Sequence, residues 1–585
     1  MRHSLLNLAA VSLCASSLVS ADFLGPRYVQ PVDLSSDKSA VSAAWKNATS
    51  NLDKSLKSAN SMFGGVQGLQ NVTFSLGLFS LKDPSASKLQ FHYTSPEITA
   101  STGTRKVDGD SIYRTASITK VFTVLAGLLN LKGTDWERSV ADIFPTLGEF
   151  ANKNSNDPIA TIQWKEVTLS NLAAHLAGLP TNPLVGDLAV RLALTGQDPT
   201  LGGYPMVNVS SPRLVDALPA LAKFIEEAGV FTPENFIPTI KALLPNFEPW
   251  TQPVYSNNGF ILLTAAIANI TGKPLSTLSQ ETILDPLQLE STFYKVPESL
   301  SQRSVIVSKD EWSAPAGIAE GSGGVSSSIN DLAKFGTSVL NSTLLSKAQT
   351  RRWLKPVSHT GRFQYSMGRP WEIIRYTHAS GAVTDMYTKA GDSGNYSSEL
   401  VIVPEYDAGF TILGASSTAT RNGVVAALAD LLANTLIPAF ETQARAEAEQ
   451  NFAGTYTSSI QGVNSSVVLA VNNTAGAAPG LLINSFISNG TEFKHALYYS
   501  AGARLVPSVL SDKSGKVAFR IANANDASTI DKSKALFSGV GLADFLVGDA
   551  ASYGGAALNQ WVFQTKGGKA TELSPTFLDI TLKRS

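Results

Sequence analysis

Ser117 and Lys120 are the residues of this chain whose types and spacing first point to chemistry. Three residues apart, they share one face of a helix. A serine hydroxyl is a weak nucleophile and needs a neighbouring base to take its proton. A lysine serves as that base once burial disfavours its ammonium form. Unpaired helix N–H groups near Ser117 would further favour a developing oxyanion. The competing assignment is that Ser117 only caps the helix and Lys120 snorkels to water. The S-x-x-K pattern does not choose between them, because Ser35–Lys38 and Ser85–Lys88 match it too. Those copies lie in polar segments. Ser117 instead opens the stretch Tyr113–Leu131, YRTASITKVFTVLAGLLNL, which turns almost wholly apolar. With Thr115 as N-cap and Gly133 as stop, it predicts a helix from about Ala116 to Leu131. A helix apolar on most of its faces lies buried inside a domain.

Other elements must hold this helix and complete its surroundings. Residues 22–34 read as an extended lead-in and 37–60 as a helix. Val72–Leu81 and Leu89–Tyr93 read as strands joined by a turn at Asp83-Pro84. From 134 to 300 the pattern is mainly helical with proline breaks. Within it the apolar runs Leu214–Ala228 and Pro233–Leu244 form either a lid or ordinary peripheral helices. Pro249–Leu263 carries a loop that delivers Tyr255 and Asn257 ahead of an apolar helix, Gly259–Ile270. Residues 319–340 are a Gly/Ser loop entering a helix. Residues 384–414 read as two strands, TDMYTKAG leading into SSELVIVP and, past a turn at Glu405-Tyr406-Asp407, GFTILGAS. A long helix follows over about 420–450. Beyond Phe452 short apolar runs (FAGTY, SVVLAV, GLLINSF, ALYYS, KVAFRI) alternate with Gly/Asn/Ser turns, which predicts an all-β domain. Strands on both sides of a large helical insertion imply an α/β domain whose sheet is assembled from distant parts of the chain.

Composition narrows the functional classes. With 585 residues the chain exceeds one ordinary core. A net charge of −1 provides no basic field for nucleic acid. Arg2 and His3 precede the apolar run Leu5–Val19, and Val19-Ser20-Ala21 reads as a cleavage site before Asp22, so residues 1–21 are expected to be a signal peptide. No later segment of about 18 uninterrupted apolar residues follows, so the mature chain is expected to be soluble, with no membrane contact. The single cysteine, Cys14, falls inside the leader. That removes cysteine nucleophiles, disulfides and thiolate metal sites from the mature protein. Sequons at Asn47, Asn71, Asn208, Asn269, Asn341, Asn395, Asn464, Asn472 and Asn489 predict a secreted, extracellular, N-glycosylated protein.

Three elements line up in order: Ser117-Ile118-Thr119-Lys120, Tyr255-Ser256-Asn257 and Lys389-Ala390-Gly391. Of the 15 tyrosines only Tyr255 has an asparagine two residues on. K-x-G is weaker, recurring at Lys513-Ser514-Gly515 and Lys566-Gly567-Gly568, but only the Lys389 copy sits beside paired strand signals. The set resembles the serine β-lactamase and penicillin-binding-protein superfamily, above all its class C-like and esterase members. The phrases YRTASITKVFT, LAAHLAGLP, PVYSNNGFILLTAAIANITGKPL and EGSGGVSSSINDLAKFG agree, and the resemblance spans about 70–415. The fold it implies is α/β (α+β): an antiparallel sheet flanked by helices plus an all-α subdomain, followed by a smaller all-β, barrel-like domain. The expected divisions are 22–450 for the catalytic domain and 451–585 for the β-rich one.

The resemblance implies acyl transfer through an acyl-enzyme on Ser117, with no cofactor and no metal. Lys120 and Tyr255 would share the proton work, with Tyr255 anionic or hydrogen-bonded to the lysines. Asn257 would hold Lys120 or the substrate amide, and Lys389 would supply positive potential. Backbone N–H groups of Ser117 and Asp392 would form the oxyanion hole, with Gly391 permitting close approach. Two departures stand out. His175-Leu176-Ala177-Gly178 replaces the usual histidine-threonine-serine-glycine, and Ala390 replaces a common hydroxyl residue. Asp392, on the same strand edge as Lys389, would oppose its potential and favour neutral esters over penicillin-like or free-carboxylate substrates. The expected partner is a small-molecule or peptide substrate of a secreted serine hydrolase. The alternatives are an acyltransferase or cyclase built on the same triad, and an inactive binding protein.

Overall fold

The computed structural model describes residues 26–58, 62–154, 157–208, 214, 215, 217–226, 233–474, 476–493, 502–522 and 551–585. The proposed leader, the sequence ALYYS and parts of the run Leu214–Ala228 lie outside the described residues. By contact the chain divides into two units: 42–376 with 385–435, and 26–41 with 377–384 and 436–585.

The first unit is built on an eight-stranded antiparallel sheet. Its strands in chain order are β1 (Thr73–Ser80), β2 (Gln90–Tyr93), β3 (Ser358–His359), β4 (Tyr365–Met367), β5 (Glu372–Thr377), β6 (Val383–Ser393), β7 (Tyr396–Val403) and β8 (Ala408–Ala415). Their spatial order is β2-β1-β8-β7-β6-β5-β4-β3. β1 and β8, neighbours in space and more than 300 residues apart in sequence, are buried along their whole length. The expected sheet from distant segments is therefore present, with two differences. Gly394, at φ 56°, turns the chain between β6 and β7, so 384–414 holds three strands where two were expected. Strands β3 to β5, short and polar on their exposed positions, gave no periodic signal.

Two helices pack at the centre. Helix α1 (Thr119–Asn130) buries every residue from Thr119 to Gly127, and helix α3 (Ile329–Leu340) lies against β1 and β8. Phe122 and Phe335 stack at 4.3 Å between them. The ring of Phe79 fits because Gly336 and Gly409 flank it; a Cβ on either would fall 2.3 Å from the ring. Between these helices in sequence runs α2 (Asn257–Thr271), buried over Asn258–Leu263. Helices Ala217–Glu226 and Pro233–Lys241 fall within the two predicted apolar runs. Leu184, Ala217, Leu221 and Ala242 make a small apolar cluster of their own there.

Helix α4 (Arg421–Phe452) continues from the first unit into the second. By length and composition this helix is apolar enough to cross a membrane, and half of its most apolar stretch is buried within the protein. In the second unit eight strands close into a barrel. Around the ring run Ser466–Val471, Gly454–Ser458, Leu582–Arg584, Lys569–Pro575, Gln560–Lys566, Lys516–Ala522, Arg504–Ser511 and Leu481–Ser488, the last pairing back onto the first. Closure leaves no free sheet edge among these strands. Phe452, Phe519 and Phe563 fill the interior with ring centroids 4.8 to 5.3 Å apart. The mixed α/β unit and the all-β barrel are the fold class that the sequence implied.

Candidate active site

The chain reaches Ser117 through a strained residue. Ala116, buried, has φ 46°, a value costly for any residue with a Cβ. Ser117 then sits in a 3₁₀ turn, Ala116–Ile118, which runs into α1. Thr115 does not cap this helix with its side chain, as expected from sequence; its hydroxyl donates to the carbonyl of Val325 at 2.8 Å. The Thr115 carbonyl is instead held by Ser398 Oγ at 2.7 Å. Tyr255 and Asn257 arrive on the opposite wall, where Ser256 caps α2 by accepting from the Gly259 N–H at 3.0 Å. Asn257 is thus the first residue of a helix and is held there from the start.

Four side chains converge. Lys120 Nζ lies 3.0 Å from Ser117 Oγ, 2.8 Å from Asn257 Oδ1 and 2.7 Å from the Ser322 carbonyl. The Tyr255 phenol donates to Ser117 Oγ at 2.6 Å. Asn257 is oriented by its amide nitrogen, which donates to Asn182 Oδ1 at 2.9 Å, so its oxygen faces the lysine. Lys120 is completely buried and does not snorkel. Ser117, Tyr255 and Asn257 are half-buried.

Electrostatics define the protonation states. Burial, and then the neighbouring Lys389 charge, hold Lys120 well below the ordinary lysine range. The Asn257 oxygen and the Ser322 carbonyl can only accept. A neutral amine donates its two N–H groups to them and leaves its lone pair facing Ser117 Oγ. With Lys120 neutral, the serine hydroxyl can donate to it while accepting from Tyr255. Burial raises the Tyr255 phenol, against the lowering effect of Lys389. It is therefore neutral at pH 7 and bonds to Ser117 in this structure; the anion or lysine-bonded form that the resemblance implied belongs to turnover. Both lysine nitrogens lie over its ring, at 4.9 and 5.1 Å.

On β6, Lys389 and Gly391 face the interior while Ala390 and Asp392 are exposed. Gly391 abuts the start of the serine turn: a Cβ there would stand 2.3 Å from the Thr115 carbonyl and 3.0 Å from the Ser117 nitrogen. Only glycine lets the strand pass so close. The proposed opposition of Asp392 to Lys389 does not occur. Three residues apart on a strand, they point to opposite faces, and Asp392 is bound by Arg421 at 2.9 Å and by Ser397 at 2.6 Å. The carboxylate beside Lys389 is Glu372, at 2.5 Å. Burial opposes the Lys389 charge, but the Glu372 carboxylate beside it raises its pKa above the ordinary value.

Four residues, Glu372, Ser322, Asn182 and His175, had no assigned part in the sequence reading. Glu372 lies on an unrecognised strand, and Ser322 acts through its main chain. His175 was noted only as part of a departed motif. Its Nδ1 accepts the Ser256 N–H at 3.0 Å, and its ring packs 4.6 Å from Tyr255. Burial above all holds its pKa well below the ordinary histidine range. The sequons at Asn47, Asn71, Asn208, Asn269, Asn341, Asn464, Asn472 and Asn489 are exposed. Asn395 is half-buried, its amide donating to Glu311 at 2.5 Å.

A Beta-lactamase family model matches residues 90–435. A Beta-lactamase-like protein of Arthroderma benhamiae is 30% identical over 510 residues, 84% of this chain and 77% of that one. The chain belongs to the Beta-lactamase family. Residues 444–585 match the family described as Beta-lactamase-like-like, C-terminal domain. The probable hydrolase clz13 of Cochliobolus lunatus is 26% identical, over 68% of this chain and 65% of its own length. Among solved structures, the class C beta lactamase from Rhodobacter sphaeroides is 18% identical, with 67% and 99% covered and a TM-score of 0.43. The family model and the curated relatives are those of β-lactamase-like hydrolases.

Proposed function

We propose that this protein is a secreted serine hydrolase that cleaves an ester or amide through an acyl-enzyme on Ser117. The observation that carries the reading is the line of hydrogen-bonded contacts Tyr255–Ser117–Lys120, which ends on a buried amine also held by the Asn257 oxygen and the Ser322 carbonyl. Such an amine is a general base already aimed at the nucleophile.

In the proposed reaction Lys120 takes the Ser117 proton as Oγ attacks the substrate carbonyl carbon. The tetrahedral oxyanion is met by the backbone N–H groups of Ser117 and Asp392. The proton then passes by way of Tyr255 to the leaving oxygen or nitrogen, which departs as an alcohol or amine. Water, deprotonated by the same relay, attacks the acyl group; the acid leaves and Ser117 regains its proton. Lys389 lowers the pKa of Lys120 across the site, and His175 positions the loop bearing Tyr255. The relatives described as hydrolases favour water over a second acyl acceptor.

Residues 1–21 would direct secretion, and the exposed sequons would carry N-glycans. N-terminal sequencing of the secreted protein should begin at Asp22. The function itself is tested with a panel of neutral esters, amides and β-lactams on the purified protein. Wild type should release product with a burst that Ser117→Ala lacks. Equal turnover by the two proteins would exclude Ser117 as the nucleophile.

A further inference from the structure

The proposed reaction leaves one charged group of the site without a part. Glu372 begins β5, beside β6, and both of its carboxylate oxygens are occupied. One accepts from Lys389 Nζ at 2.5 Å and the other from the Ala390 N–H at 2.8 Å. The main-chain carbonyl of Glu372 is fixed in turn by Thr388 Oγ1 at 2.8 Å. An ammonium and a strand N–H spaced to meet two carboxylate oxygens form a cradle for an anion. Here the chain fills that cradle itself. The pair is also oriented: the Lys389 side chain is 1% exposed and that of Glu372 24%. A solute approaching from the cleft therefore meets the carboxylate and not the ammonium. A second N–H of Lys389 goes to the Ala390 carbonyl at 2.7 Å, and Nζ lies over the Tyr255 ring at 5.1 Å. Asp392 is neutralised by Arg421.

We propose that Glu372 is the charge filter of the site: it occupies with its own carboxylate the position where Lys389 and the Ala390 N–H would hold an anionic substrate group. The inference rests on the serine hydrolase reading and names its substrate class, acyl donors that are uncharged beside Lys389. Specificity of this kind comes from an element that repels the wrong substrate as much as from contacts to the right one.

Two matched esters test it, 4-nitrophenyl butyrate and 4-nitrophenyl hemisuccinate, which differ in the terminal carboxylate. Wild type should show a kcat/KM at least about tenfold higher for the butyrate. In Glu372→Gln, which keeps the side-chain shape and removes the charge, that ratio should shrink by about tenfold, mainly through a lower KM for the hemisuccinate. Loss of packing alone would move both substrates together and leave the ratio unchanged; that result overturns the filter. A wild type that accepts the two esters equally overturns it as well. Because the variant removes a partner from a buried lysine, wild type is also titrated with phenylboronic acid and 3-carboxyphenylboronic acid, which add to an active serine. The uncharged compound should bind about tenfold more tightly; equal or tighter binding of the carboxylated one contradicts the proposal. Turnover of neither ester, with binding of neither boronate, would sink the hydrolase reading and the filter with it. Turnover that depends on Ser117 but ignores charge would sink the filter alone.

Discussion

The lone pair of Lys120 is the feature on which the chemistry turns. A protonated Lys120 cannot accept from Ser117, so activity should fall as pH drops through the lowered pKa of Lys120. Glu372 opposes that lowering. In Glu372→Gln the acid limb of the kcat/KM profile should accordingly move to lower pH; a shift to higher pH would contradict the assignment of Lys120 as base. Lys120→Ala and Tyr255→Phe should each cost roughly three orders of magnitude in kcat, and the double variant little more than either. Losses that multiply would mean that the two act independently. Ser117, Lys120, Tyr255, Asn257, Lys389 and Gly391 were legible because short-range spacing in the chain sets them up. Glu372, Ser322 and Asn182 were not, because their contacts cross 17, 202 and 75 residues. Asp392 was misread because three residues along a strand is an odd number, which reverses the face.

At the scale of elements, the site depends on β6 passing against the serine turn. Gly391→Ala would drive a Cβ into the Thr115 carbonyl at 2.3 Å. Backbone must move to relieve it, so kcat should fall at least about a hundredfold, with a stability loss of about 2 kcal/mol measured by denaturant melting. A stable, active variant would show that the strand does not help to form the site. The next strand carries a second test. Glu399, on β7, has its carboxyl pushed up to about 8, first by burial and then by Glu372. Folding therefore retains a proton that the unfolded chain releases near 4.5. This contribution to stability is full below that pH and is lost as pH rises through about 8. Glu399→Gln should be stabilised relative to wild type by about 1 kcal/mol or more at pH 8 compared with pH 4, read from melts at both. A pH-independent difference would contradict the burial. The long apolar strands around these residues were readable from their patterns. The short strands β3 to β5 were not, since such brief runs at one end of the sheet carry little periodicity.

For the whole molecule, the change of composition after Phe452 marked the barrel, because a closed sheet imprints short alternating runs and turns. What composition cannot convey is that residues 26–41 and 377–384 group with the barrel unit. Burial also sorts the sequons. Asn395 spends its amide on Glu311 at 2.5 Å. Glycopeptide mapping of the secreted protein should find glycan among the exposed sequons and little or none at Asn395. Full occupancy there would mean that this hydrogen bond does not form before glycan transfer.

The central claim is that Ser117 carries the acyl group while a neutral Lys120 activates it. The most direct measurement is intact-mass spectrometry of the protein quenched during turnover of a slow neutral ester, followed by peptide mapping. The expected result is a single added acyl mass on the peptide containing Ser117, absent in Ser117→Ala and forming far more slowly in Lys120→Ala. An acyl adduct on another residue, or turnover with no adduct in wild type and undiminished rate in Lys120→Ala, would contradict it.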